Sequence, residues 1–166
     1  MVPAIVIMGV AGCGKTSVAR ALARACGRTF LDADDFHAAQ ARAQMAAGHP
    51  LGDAQREPWV AALAAALARE SARGPVVLAF SGLRAAHRKR LRDSGVPLRF
   101  VFLRATPPVL AARLAARHDH FMPPALLASQ LQALEPPDTE ADVVVVDADG
   151  PLPEVLERTR AALGLA

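Results

Sequence analysis

Gly9-Val-Ala-Gly-Cys-Gly14-Lys15-Thr16 brings together the parts needed to hold a row of phosphates. Its glycines let the backbone curl so that successive N–H groups face inward, and a helix starting there adds the positive end of its dipole. Lys15 is placed to reach the β- and γ-phosphates, and Thr16 to set its hydroxyl on a divalent metal. Gly9, Val10, Ala11, Gly12, Cys13, Gly14, Lys15, Thr16 and Ser17 therefore form a candidate ATP-type triphosphate site. The chain has 17 Arg but only two Lys, Lys15 and Lys89. A Lys in this loop, where the rest of the sequence uses the planar guanidinium, points to a need for a compact point charge. Cys13 lies inside the loop, where its backbone matters more than its thiol.

A group of acids, Asp32, Asp34 and Asp35, closes the second apolar run. One carboxylate can complete the shell of a Mg²⁺ ion while another accepts the proton of an attacking hydroxyl. Thr16 and Asp32 are the metal candidates and Asp34 the base. Asp34 or Asp35 is also expected to cap a helix that begins near Phe36. A guanine-reading Asn-Lys-x-Asp motif is excluded, because the chain contains no Asn. At 166 residues it is too short for a large mechanochemical ATPase. A small phosphotransferase remains, or a binding module that only senses the nucleotide.

These residues need a scaffold that delivers them to one edge, and the hydrophobic pattern supplies it. Continuous apolar runs at 4–8, 29–32, 76–80, 98–103 and 142–147 read as strands buried on both faces of a parallel sheet. Helices are expected over 15–26, 35–47, 57–72, 84–93, 107–117, 124–134 and 153–163, with Pro58, Pro107 and Pro124 in first turns. The alternation predicts a doubly wound α/β fold without internal repeats. In such a sheet ligands bind at the carboxyl ends of strands, which places the acids opposite the phosphate loop. The Ala-rich stretch 61–68 carries Leu63 and Leu67 at helical spacing and reads as an ordinary packed helix.

Composition narrows the partners. A net charge of +3 suits an anionic ligand and does not require nucleic acid. Arg84, Arg88 and Arg92 share one helix face, and no aromatic residues interleave with them for base stacking. Two cysteines without a CxxC pair exclude a disulfide scaffold and a four-cysteine zinc site. The first apolar run lacks a cationic lead and is too short for a membrane span, so a soluble, cytoplasmic protein is expected.

Taken together, the segments resemble the gluconate kinases, small P-loop kinases related to shikimate and nucleoside monophosphate kinases. The resemblance rests on Met8-Gly-Val-Ala-Gly-Cys-Gly-Lys-Thr16, Leu31-Asp-Ala-Asp-Asp-Phe-His37, Met45-Ala-Ala-Gly-His-Pro-Leu51, Asp53 and Arg56-x-Pro58-Trp59. It continues through His120-Phe-Met-Pro-Pro, Leu126-Leu-x-Ser-Gln130 and Leu134-Glu-x-Pro137, so it covers nearly the whole chain. It implies a single P-loop kinase domain over 1–166, a parallel sheet of about five strands flanked by helices, and a mobile lid near 117–125. It also implies phosphorylation of D-gluconate to 6-phosphogluconate with ATP and Mg²⁺, commonly by a homodimer.

Gluconate is a small polyhydroxy anion, and Asp34, His37, Arg56, Arg84, Arg88 and His120 are the residues expected to contact it. Trp59 is expected in the core. Arg113 and Arg117 lie on the helix before the lid; Arg117 is the candidate to neutralise the transferring phosphoryl, and Arg113 to stack on adenine. His118-x-His120 lacks a third ligand at metal spacing. Asp147 and Asp149-Gly150-Pro151 are expected to border the adenine. The chain departs from the family pattern Cys-Ser-Ala-Leu-Lys-x-x-Tyr-Arg-Asp, reading Phe80-Ser-Gly-Leu-Arg84-Ala-Ala-His87-Arg88-Lys89 instead. Asp119 stands where the family usually has Gly. These changes leave another aldonate, a shikimate-like acid or a nucleoside monophosphate open as acceptor.

Overall fold

The computed structural model describes residues 2–117 and 124–166. Five strands, β1 (Ala4–Met8), β2 (Thr29–Asp32), β3 (Val76–Ala79), β4 (Leu98–Arg104) and β5 (Val143–Asp147), form one sheet in the order β2-β3-β1-β4-β5. All neighbours are parallel, with Ile5 opposite Val77 and Arg99, and Asp32 opposite Ala79. The expected parallel α/β sheet is therefore present, with strand ends within a residue of their predicted places.

Among the described residues seven α-helices accompany it: α1 (Lys15–Ala25), α2 (Ala39–Ala46), α3 (Asp53–Ser71), α4 (Ala85–Arg92), α5 (Pro107–Ala115), α6 (Pro124–Ala133) and α7 (Leu152–Leu163). Because strand side chains alternate between faces, β1 feeds two cores. Ile5 and Ile7 pack with Val18, Leu22, Leu110 and Val155 on one side. Val6 and Met8 pack with Trp59, Leu63, Leu67 and Leu91 on the other. Burial on both faces explains why these strands read as unbroken apolar runs.

Two expectations are corrected. The helix expected at 35–47 is divided into a 3₁₀ turn at Ala33–Phe36, an extended stretch at His37 and Ala38, and α2. The Asp32 carboxylate accepts from the Asp34 N–H and starts the turn, so Asp32 is the cap in place of Asp34 or Asp35. Trp59 Nε1 donates to the Ala33 carbonyl at 2.7 Å and pins the turn to the core. α2 buries no side chain, so packing does not force the helix through the break. The second correction concerns α3, which starts at Asp53. The Gln55 side chain reaches back to the Gly52 N–H at 2.9 Å, half of a capping box, and sets that start. Pro58 consequently lies inside the helix and offers no N–H to the Ala54 carbonyl one turn earlier.

Candidate active site

β1 delivers the phosphate loop and α1 begins immediately after it. Gly9 has φ +151°, and a Cβ there would meet Cys13 Sγ at 2.6 Å and the Leu103 carbonyl at 2.9 Å. Gly14 closes the loop in the left-handed region at φ +92° and leads into Lys15, the first residue of α1. Among the described residues, the N–H groups of Gly12 and Gly14 donate to no protein acceptor. The first amides of α1 lack intrahelical partners by construction, so the loop presents a row of free donors. No described carboxylate lies within 4 Å of the Lys15 ammonium. Cys13 is buried, its sulfur filling the space beneath Gly9.

Arg113, from α5, braces this loop. Its Nη1 donates to the carbonyls of Gly12 and Cys13, and its Nη2 to those of Ala148 and Gly150. The guanidinium thus ties the phosphate loop to the segment after β5. There Asp149 accepts from both the N–H and the hydroxyl of Thr106.

β2 ends beside the loop. Thr16 Oγ1 lies 3.5 Å from Asp32 Oδ2, which brings the two expected metal residues together. Burial pushes the Asp32 carboxyl above its ordinary value, and the charges of Asp34 and Asp35 add to this. The Asp34 N–H and the Lys15 ammonium act in the opposite direction. Asp34 itself points its carboxylate outward, 4.0 Å from His37 Nε2 and largely exposed. The His37 side chain is shielded from solvent, stacked on Trp59 with ring centroids 4.1 Å apart, and its Nδ1 has no hydrogen-bond partner among the described residues. Trp59 belongs to the core, as expected.

Next to these lies a cleft of about 270 Å³ lined by residues from α3, α6 and the loop before α4. Arg56 and Arg84 face it, together with Asp53, Ser129 and Gln132. The Arg56 Nη1 and Arg84 Nε atoms stand 3.7 and 3.8 Å from the same Asp53 oxygen. Arg84 Nη1 lies 3.7 Å from Glu135. Neither guanidinium donates a hydrogen bond among the described residues, and Arg84 Nε is buried without one. The cleft thus holds two guanidiniums that make no hydrogen bond among the described residues and share the Asp53 carboxylate at ion-pair distance.

Arg88 is a correction. It is fully buried and its three nitrogens are committed: Nε to Glu140, Nη1 to the carbonyls of Gly82 and Leu83, Nη2 to the Glu135 carbonyl and Glu140. It fixes the loop that carries Arg84 and offers a substrate no free donor. Arg92 turns inward too, onto Glu140 and Asp142. Arg117 is exposed just past the end of α5. His118, Asp119, His120 and nearly all of the expected lid at 117–125 lie outside the described residues.

Sequence reasoning passed over Asp53, Gln130 and Glu140. Asp53 and Gln130 stand inside the quoted family segments. Glu140 carried no signal, because its partner Arg88 is 52 residues away in sequence.

Burial holds both His37 and His87 below the ordinary histidine value. Asp34 opposes the shift at His37, while the positive charges of Arg42 and Arg56 reinforce it. At His87, Arg56 and Arg84 reinforce it, and Asp53 and Glu57 oppose it. The unfolded chain therefore takes up protons first as pH falls. This contribution to stability is complete above about pH 6.5 and is lost as pH drops toward the lower folded values. Urea midpoints measured from pH 7.5 to 5 are expected to fall, and to fall less steeply in His37→Gln/His87→Gln; equal slopes would refute the assignment.

A phosphate loop after the central strand, acids at the end of β2 and an acceptor-sized cleft between α3 and α6 define a P-loop kinase. A family model described as an AAA domain matches residues 5–137. A probable gluconokinase from Xenopus tropicalis is 40% identical, with 87% of this chain and 85% of that protein covered. The thermoresistant gluconokinase of Escherichia coli K12 is 38% identical over 93% of this chain and 89% of that protein. The solved gluconokinase structure from Sinorhizobium meliloti 1021 superposes with a TM-score of 0.87 at 43% identity, covering 98% of this chain and 91% of that one. The chain belongs to the gluconokinase family.

Proposed function

We propose that this protein transfers the γ-phosphoryl group of ATP to the terminal hydroxyl of D-gluconate, giving 6-phospho-D-gluconate. The observation that carries the acceptor is the pair Arg56 and Arg84, two guanidiniums in one cleft that donate no hydrogen bond among the described residues. Kinships of 36–40% with curated gluconokinases over most of the chain support the same reading.

In this mechanism the amides of Gly12, Gly14 and the first turn of α1 cradle the phosphates, within a loop spanning Gly9 to Ser17. Lys15 neutralises charge on the γ-phosphoryl, and Arg117 adds a second cation from the end of α5. Arg56 and Arg84 hold the gluconate carboxylate at one end of the cleft. This orients the far hydroxyl toward Asp34, which takes its proton during in-line attack. His37, neutral and fixed against Trp59, directs its Nδ1 to a substrate hydroxyl, and His120 contributes from the lid. Arg113 shapes the adenine side, where its flat guanidinium is bonded to the Ala148 and Gly150 carbonyls.

The residues suit Mg²⁺. Thr16 and Asp32 offer two hard oxygens 3.5 Å apart, and no described cluster of three or more His, Cys, Asp or Glu could hold a metal by itself. That sparse set fits an ion carried largely by nucleotide phosphates and water. When bound, Mg²⁺ supplies charge neutralisation at the phosphates. No described helix is long and apolar enough to cross a membrane. We place the enzyme in the cytoplasm as a homodimer, with a single kinase domain over 1–166 and its lid at 117–125.

A coupled ADP-release assay across gluconate, other aldonates, shikimate and nucleoside monophosphates tests the acceptor. Turnover with another acceptor and none with gluconate would replace the substrate. ATP binding without transfer to any acceptor would make the protein a sensor. Within that assay, Arg56→Ala is expected to raise the KM for gluconate at least tenfold, the scale of one charge-assisted hydrogen bond, with little change for ATP. Equal effects on both would make Arg56 structural.

A further inference from the structure

Gln130 of α6 makes a contact that joins the two halves of the site. Its side-chain oxygen accepts from the Ala11 N–H at 2.7 Å, across 119 residues of sequence. Ala11 is buried within the first bend of the phosphate loop, just before the free amides of Gly12 and Gly14. The other loop amides with protein partners use backbone carbonyls: Gly9 donates to Ser81 and Cys13 to Val10. Gln130 is the described side chain that receives a loop amide.

The same helix forms one wall of the acceptor cleft. Ser129, Gln132 and Ala133 line it beside Arg56 and Arg84. Just beyond α6 the Glu135 N–H donates to the Leu83 carbonyl at 2.7 Å, and the Glu135 carboxylate accepts from the Ala85 N–H at 2.6 Å. α6 is thus fastened at one end to the loop that carries Arg84. Midway, it is fastened to the loop that would carry the nucleotide. An acceptor that orders the cleft wall also orders α6, and with it the first bend of the phosphate loop.

We propose that Gln130 is a positioning residue that couples acceptor binding to nucleotide binding through its hydrogen bond to Ala11. The proposal rests on the gluconate reading of the cleft for the identity of the coupled ligand. Linkage requires the coupling to be equal in both directions: gluconate tightens ADP by the same factor as ADP tightens gluconate.

The experiment is calorimetric titration of MgADP and of gluconate, each alone and each with the other saturating. It is run on the wild type, Gln130→Met and Gln130→Glu, with hydrogen exchange of the Ala11 amide measured on the free proteins. Met keeps the length and removes the acceptor, whereas Glu keeps an acceptor. The wild type is expected to show mutual tightening of at least fivefold, within the usual range of allosteric coupling. Gln130→Met is expected to fall below twofold with faster Ala11 exchange. Gln130→Glu is expected to retain coupling and slow exchange while binding MgADP more weakly, because its charge faces phosphate. Undiminished coupling in Gln130→Met, or no coupling in the wild type, would overturn the proposal. Affinities that fall equally with the coupling factor intact would make Gln130 merely structural, and would overturn it too. If the wild type binds no gluconate, the acceptor reading fails instead. Ala11 exchange then still decides the contact, and the coupling is judged with whichever acceptor binds.

Discussion

Asp34→Asn is expected to lower turnover by about 10²–10⁴-fold, the usual contribution of a general base, while ATP affinity stays near that of the wild type. The substitution is close to isosteric, and the structural work at this position is done by the backbone. The Asp34 N–H donates to Asp32, and the Asp34 carbonyl accepts from Arg42; both bonds survive in Asn. The Asp34 carboxylate accepts no hydrogen bond among the described residues and is largely exposed, so its loss leaves folding intact. Steady-state rates with gluconate and ATP titrations on the same preparation separate the two effects. Near-normal turnover would remove Asp34 from the base role. A matching loss of ATP affinity would move it to the nucleotide side of the site.

The parts of this site that were legible in the sequence are those encoded locally. The phosphate loop declares itself because its glycines, Lys15 and Thr16 must be contiguous to shape one bend. The strands were legible because a strand buried on both faces must be apolar at every position, as in Val76–Ala79. The acids after β2 were legible by position, since β2 lies in the parallel sheet that also carries the loop. The illegible parts depend on distant partners. Nothing near Phe36 announces the break before α2, which follows from Trp59 reaching back to Ala33. Pro58 resembles a first-turn proline because the earlier start of α3 is set by Gln55 reaching back to the Gly52 N–H, with Gly in place of the Ser or Thr that usually announces a capping box. Arg84 and Arg88 are one turn apart and look alike, yet one faces the cleft and the other is buried. That difference is decided by Glu140, and by the carbonyls of the β3–α4 loop that close around Arg88.

Removing Glu140 is therefore expected to be far more damaging than its partly exposed place suggests. Glu140→Ala leaves the fully buried Arg88 guanidinium without its carboxylate and still beside the positive Arg92, which also loses its 2.5 Å bond to Glu140. Breaking a buried pair from one side typically costs about 3–5 kcal/mol, because the remaining charge is stranded in a low-dielectric site. In a chain of this length that is a drop in Tm on the order of 10 °C. Urea unfolding of Glu140→Ala, Arg88→Met and the double variant Arg88→Met/Glu140→Ala closes the cycle. The double variant is expected to be more stable than Glu140→Ala, since the stranded charge is gone. It should not regain wild-type stability, because the carbonyls of Gly82 and Glu135 then lose their donor and that of Leu83 keeps only the Glu135 N–H. A Glu140→Ala loss below about 1 kcal/mol, the level of an exposed pair, would mean that water reaches Arg88. Arg88 could then no longer be the buried anchor of the loop that carries Arg84.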